Sequence, residues 1–167
     1  MNLRIEDEHL RLIEKILSEE NLKKAIKKVK KNKGAPGVDK MSVHEVEEWF
    51  EKYQDEVIKL IMNKQYRPMP VKRVYIPKAD GNKRPLGIPT VLEWVIQQAV
   101  AQILSDIYEP IFSEHSYGFR PKRSAHMAMH EVLGRLNDGY EWIVDLDIEK
   151  FFDTVNHDKL NTIHKEL

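Results

Sequence analysis

At 167 residues the chain is long enough to bury one good core or to be a piece of something larger. The absence of cysteine excludes a disulfide framework and a thiolate metal site, and no apolar run approaches the roughly 18 residues of a membrane-spanning helix. The formal net charge is zero, but the charges are segregated in a way that the sum conceals. Residues 22–34 hold Lys23, Lys24, Lys27, Lys28, Lys30, Lys31 and Lys33 with no acid, and residues 64–84 hold Lys64, Arg67, Lys72, Arg73, Lys78, Lys83 and Arg84 against Asp80 alone. Two basic blocks on different elements suit a phosphate-binding groove, and they equally suit solvated helix and loop faces. The opening Met1-Asn2-Leu3-Arg4-Ile5-Glu6 lacks the apolar centre of a signal peptide, so the expected location is the cytoplasm.

In chain order, Leu10, Ile13, Ile16 and Leu17 predict one short helix, and Leu22, Ile26 and Val29 a second whose outer face is lysine. Gly34-Ala35-Pro36-Gly37 breaks it, and Ser42-x-x-Glu45 reads as a capping box before a helix that buries Val46, Phe50, Tyr53, Val57, Leu60 and Ile61. From Tyr66 the period becomes two. Val71 to Pro77 and Lys83 to Pro89 read as hairpin arms, and a three-residue loop Asp80-Gly81-Asn82 would pair Lys78 with Arg84 on one face. Thr90-x-x-Glu93 opens an amphipathic helix carrying Leu92, Val95, Ile96, Ala99, Ile103 and Leu104, on which Gln97 and Gln98 read as structural or backbone-contacting. After a loop around Gly118, Ser124 caps a helix with Ala128, Val132 and Leu136 that stops near Asn137-Asp138-Gly139. A strand is predicted over 140–147, and Asn156 caps a final helix.

The strand ends on Asp147 and runs into Phe151-Phe152. A carboxylate at a strand tip with an aromatic five residues on suits Mg²⁺ binding and gauging of a nucleotide sugar, and a carboxylate there also suits a turn cap. An EF-hand loop is a poorer fit, because Lys150 stands where its sharp-turn glycine belongs and Asn156 where its bidentate glutamate belongs. The histidines show no metal-ligand spacing.

Three further blocks precede that strand in order: Lys33-Gly34-Ala35-Pro36-Gly37-Val38-Asp39; Tyr75 through Thr90, with Ile76-Pro77-Lys78 and Lys83-Arg84-Pro85-Leu86-Gly87-Ile88-Pro89, running on to Ile96-Gln97-Gln98-Ala99; and Phe112 through Pro121, with Tyr117-Gly118-Phe119-Arg120. Together the four resemble the N-terminal half of a reverse transcriptase of the group II intron maturase type. The resemblance implies an α+β fold in which reverse-transcriptase fingers, helices plus a β-hairpin, lead into the first strand and helix of a truncated palm. Its domains would be an N-terminal extension of basic helices (1–40), the fingers (41–138) and the start of the palm (139–167).

The resemblance further implies that Asp147 is catalytic and binds Mg²⁺ together with the backbone carbonyl of Ile148. Lys78 and Arg84 would clamp a deoxynucleoside triphosphate, Lys150 and Phe151 would offer it backbone N–H groups, and Phe152 would be a steric gate against a ribose 2′-hydroxyl. Core packing is the competing role for Phe151 and Phe152. Lys23, Lys24, Lys27, Lys28, Lys30 and Lys31 would bind intron RNA, and Tyr117, Gly118, Phe119 and Arg120 the template side of an RNA template and DNA primer. Gly118 could instead supply a left-handed turn and Arg120 a surface charge.

A Tyr-x-Asp-Asp sequence, which carries further metal ligands in that family, does not occur in the chain. The expectation is therefore a fingers and partial-palm fragment of an RNA-directed DNA polymerase, inactive alone, with a homodimer as a further partner state and no membrane contact. The rival readings are an RNA-binding splicing cofactor without polymerase chemistry and a reverse transcriptase of another lineage, such as a retron or a diversity-generating element.

Overall fold

The computed structural model describes residues 10–77 and 81–166. They fall into two compact units, one ending at Pro110 and one beginning at Ile111.

In the first unit residues 10–16 are helical (α1), and Ser18 separates them from α2, Glu19–Asn32. The Ser18 hydroxyl accepts the Asn21 N–H at 3.4 Å, an N-cap whose first turn carries Glu19 and Glu20 at the positive end of the helix dipole. Asn21 itself is buried. Its amide donates to the carbonyls of Ile16 (2.8 Å) and Ala99 (3.0 Å), and Gln102 donates to its Oδ1 at 2.7 Å. These bonds seat α2 on α4, Val91–Tyr108, where Ala25 and Ala99 leave room for close approach. The core is built from Leu22, Ala25, Ile26 and Val29 of α2, Val43, Val46 and Phe50, and Val91, Val95 and Ala99 of α4.

The third helix begins later than its sequence signal suggests. It spans Val46–Met62 (α3), and only half of the Ser42/Glu45 box forms: the Glu45 carboxylate accepts the Ser42 N–H at 2.8 Å, but the Ser42 hydroxyl donates to that same carboxylate instead of capping a backbone N–H. At α4 the box is complete. Thr90 Oγ1 accepts the Glu93 N–H (3.4 Å) while Glu93 Oε2 accepts the Thr90 N–H (3.0 Å).

Gly34 and Gly37 are required for packing. A Cβ on Gly34 would lie 1.8 Å from Trp94 Cζ3, and one on Gly37 would lie 2.7 Å from the Pro89 carbonyl oxygen and 2.8 Å from Thr90 Cα. Backbone cannot rotate aside as a side chain can. Gly37→Ala should therefore cost about 2 kcal/mol, read as a lowered urea midpoint at unchanged m-value; a change within about 0.5 kcal/mol, the range of ordinary surface substitutions, would show that the loop yields freely.

β1 (Lys72–Pro77) and β2 (Lys83–Ile88) form an antiparallel hairpin. Pro77 pairs with Lys83 and Ile76 with Arg84, so the expected register moves by two residues: the connection is five residues, still odd, and the partner of Arg84 is Ile76. Lys78 lies outside the described residues.

In the second unit α5 (Ala125–Asn137) is capped by Ser124 and stopped by Gly139, whose φ of 93° only glycine adopts freely. Two short helices follow, α6 (Phe151–Thr154) and α7 (His157–Glu166), the latter capped by Asn156 Oδ1 accepting the Lys159 N–H at 2.9 Å. The strand expected over 140–147 does not form, since residues 140–148 have no regular secondary structure. A strand needs a neighbour to receive its N–H and C=O groups, and among the described residues β1–β2 is the only ladder. No described helix is long and apolar enough to cross a membrane.

Candidate nucleic-acid and nucleotide interface

The basic helix is less uniformly cationic than its sequence. Lys23 pairs with Glu19 at 2.5 Å and Lys24 with Glu20 at 2.7 Å, both one turn apart, while Lys30 pairs with Glu47 of α3. Glu19, Glu20 and Glu47 are held below the usual carboxylate range, in each case first by the hydrogen bond from the lysine and then by its charge. Such exposed pairs contribute little and are readily exchanged for phosphate. Lys27, Lys28 and Lys31 have no ion pair among the described residues.

Arg84 is exposed on the hairpin, whose entry and exit are held at one buried group, Glu93. Glu93 Oε2 takes the Thr90 N–H and hydroxyl at the exit of β2, and Oε1 takes the Met69 N–H on the approach to β1. Tyr66 lies near this carboxylate. Burial first, and the Glu93 charge second, push the Tyr66 hydroxyl up to about 12.

The 117–120 loop is organised by its own charged side chains. Arg120 donates to the carbonyls of Ser113 (2.6 Å) and Ser116 (3.0 Å) and lies over the Phe112 ring at 5.3 Å. Tyr117 donates to Glu131 at 3.0 Å and carries the Arg123 guanidinium over its ring at 5.4 Å. Glu131 also meets His115 at 3.2 Å and Arg135 at 3.3 Å. The Tyr117 bond, ahead of the neighbouring cations, holds the Glu131 carboxyl below its usual range. Glu131 was missed by sequence reasoning; its i,i+4 spacing to Arg135 was the available signal. The left-handed turn belongs to Phe119 (φ 57°), not to Gly118, and the Phe119 ring is fully exposed.

Asp147 and Ile148 are exposed in the irregular segment. Lys150 is left-handed (φ 51°, ψ 40°) and Phe151 begins α6, a left-to-right succession that turns consecutive N–H groups toward one side. Phe151 and Phe152 meet edge to face at 5.6 Å, and both rings are exposed, so neither is a core residue of this unit. Among the described residues no three His, Asp or Glu side chains converge on a point where a metal could sit. Asp147 and the Ile148 carbonyl do not by themselves make a complete site for a divalent cation.

Residues 76–166, from the last two residues of β1 through α7, match the reverse transcriptase (RNA-dependent DNA polymerase) family. The group II intron-encoded protein LtrA of Lactococcus lactis subsp. cremoris is 45% identical over 103 residues, covering 61% of this chain and 17% of that protein. Protein YkfC of Escherichia coli (strain K12) is 36% identical over 153 residues, covering 88% of this chain and 40% of that protein. The mitochondrial nuclear intron maturase 2 of Arabidopsis thaliana is 39% identical over 59 residues, covering 35% of this chain and 8% of that protein. The chain spans less than half the length of each of these relatives. With more than half of its residues matching the family, including β2, the 117–120 loop and the Asp147 segment, this chain belongs to the reverse transcriptases.

Proposed function

We propose that the chain is the N-terminal part of an RNA-directed DNA polymerase that also binds group II intron RNA for splicing and mobility. The observation that carries this reading is the 45% identity to a group II intron-encoded protein over 103 residues, within a chain of the reverse transcriptase family. In this reading residues 1–40 are an N-terminal extension, 41–138 the fingers and 139–167 the start of the palm, acting in the cytoplasm. Arg84, with Lys78, meets the triphosphate; Phe152 meets the sugar; Asp147 with the Ile148 carbonyl contributes to Mg²⁺ binding. The exposure of Phe152 and the left-handed Lys150 support these assignments. When bound, Mg²⁺ would polarise the attacking 3′-hydroxyl and neutralise the departing pyrophosphate.

Since Asp147 completes no ligand set here, the chain alone should not polymerise. It should nonetheless bind structured RNA, with log K falling against log salt by roughly 0.7 to 0.9 per phosphate contacted. Primer extension in Mg²⁺ and anisotropy titrations of an intron RNA at several salt concentrations test both parts. Robust extension by the pure chain would relocate the catalytic centre, and an affinity indifferent to salt would remove the basic helix from RNA binding.

A further inference from the structure

A cleft of about 340 Å³ lies between the end of α2 and the middle of α4, lined by Val29, Asn32, Gly34, Trp94, Gln97, Gln98 and Ala101. Its size and its mix of apolar wall and a few polar groups are those of a small-ligand pocket. The amide side chains of Asn32, Gln97 and Gln98 are committed to no hydrogen bond among the described residues, although each offers a donor pair and an acceptor. The indole of Trp94 needs no ordering step, because Gly34 fits so tightly against it that a Cβ would overlap the ring.

The charge on α2 is lopsided toward this cleft. On the α3 side, Glu47 pairs with Lys30 and faces Lys27, and Glu51 faces Lys23, so that flank is largely neutralised. Lys28 stands one turn before Asn32 on the same ridge, with Lys31 beside it, and neither has an acidic partner among the described residues. A flat ligand with amide-like edges and an attached negative charge fits an indole, three free amides and two free cations.

We propose that this cleft takes one unpaired nucleobase of an RNA strand whose phosphates follow Lys28 and Lys31. The proposal rests on the RNA-binding reading above and specifies a contact to the base in addition to the backbone. Amides read base edges, and an aromatic face provides sequence-tolerant stacking.

The test titrates the whole chain with a labelled 12-nucleotide unstructured RNA and with an abasic strand of the same length. The base-bearing strand should bind about tenfold more tightly and quench tryptophan emission, which the abasic strand should not do. Gln97→Ala with Gln98→Ala should bring the two affinities within about twofold at an unchanged melting midpoint, while Lys28→Gln with Lys31→Gln should weaken both and lower the salt slope by about 1.4. If the glutamine variant still prefers the base-bearing strand, or the parent chain never does, the cleft takes no base. In that event a slope still lowered by the lysine variant would leave RNA binding by α2 standing, and failure of the chain to bind either strand would remove the RNA reading as well.

Discussion

Glu93→Ala should melt roughly 10 °C below the unmodified chain, because it strips the acceptor from one buried and one part-buried backbone N–H group, each worth about 1–3 kcal/mol when left unpaired. The affected donors are Thr90 N–H and Met69 N–H, joined by the hydroxyl of Thr90. Glu93→Gln should fall between the two, since its NH₂ group must face donors on one side or the other. Hydrogen exchange separates the sites: the Met69 amide should lose protection in the alanine variant while amides in the middle of α4 keep theirs. The Tyr66 hydroxyl adds a pH signature. Its value is raised in the folded chain, so the stabilisation it provides is complete below the unfolded value of 10.0 and is lost as pH climbs through about 12. Tyr66→Phe should flatten that part of the alkaline stability profile. An alanine variant within about 0.5 kcal/mol of the parent, the range of ordinary surface changes, would mean that water replaces the carboxylate at no cost.

The Glu93 arrangement marks where reading the sequence stops being sufficient. Thr90-x-x-Glu93 was legible because capping is local chemistry among four consecutive residues. The second oxygen of Glu93 was not, because its donor Met69 stands 24 positions away and only the folded backbone brings it near. Asp80-Gly81 announced a turn, but loop length follows from where the arms stop pairing, so the register came out displaced by two although its parity held. Gly34 and Gly37 were legible as breakers; their close approach to Trp94 and Pro89 is tertiary. The alternation from Trp142 to Leu146 was legible as well, but a strand is a property of two segments, and its partner is not encoded in its own residues.

That same segment supports the second large expected effect, concentration-dependent self-association of the chain. Trp142 is 94% exposed, Val144 80% and Leu146 88%, an apolar display far outside the norm for a monomer surface. Burying each such side chain is worth about 1.5–3 kcal/mol, and a two-fold dimer would count each residue twice, on the order of 9–18 kcal/mol for these three. That is comparable with the roughly 4–15 kcal/mol lost on association. Sedimentation velocity across a hundredfold concentration range should show a dimer for the parent and a monomer for Trp142→Lys with Leu146→Lys. A chain ending at Asp138 should also be monomeric. A parent that stays monomeric throughout, or a dimer that survives in the shortened chain, would exonerate the exposed segment.

The residues buried among those described run from Leu17 to Ala99, all within the first unit. The three tryptophans divide along the same line: Trp49 and Trp94 pack against that core, and Trp142 stands in water in the second unit. The chain consequently carries two built-in optical reporters of different events. Emission from Trp49 and Trp94 will shift to the red when the N-terminal helices come apart. Trp142, already red in the isolated chain, can move only toward the blue, and will do so when another polypeptide covers it.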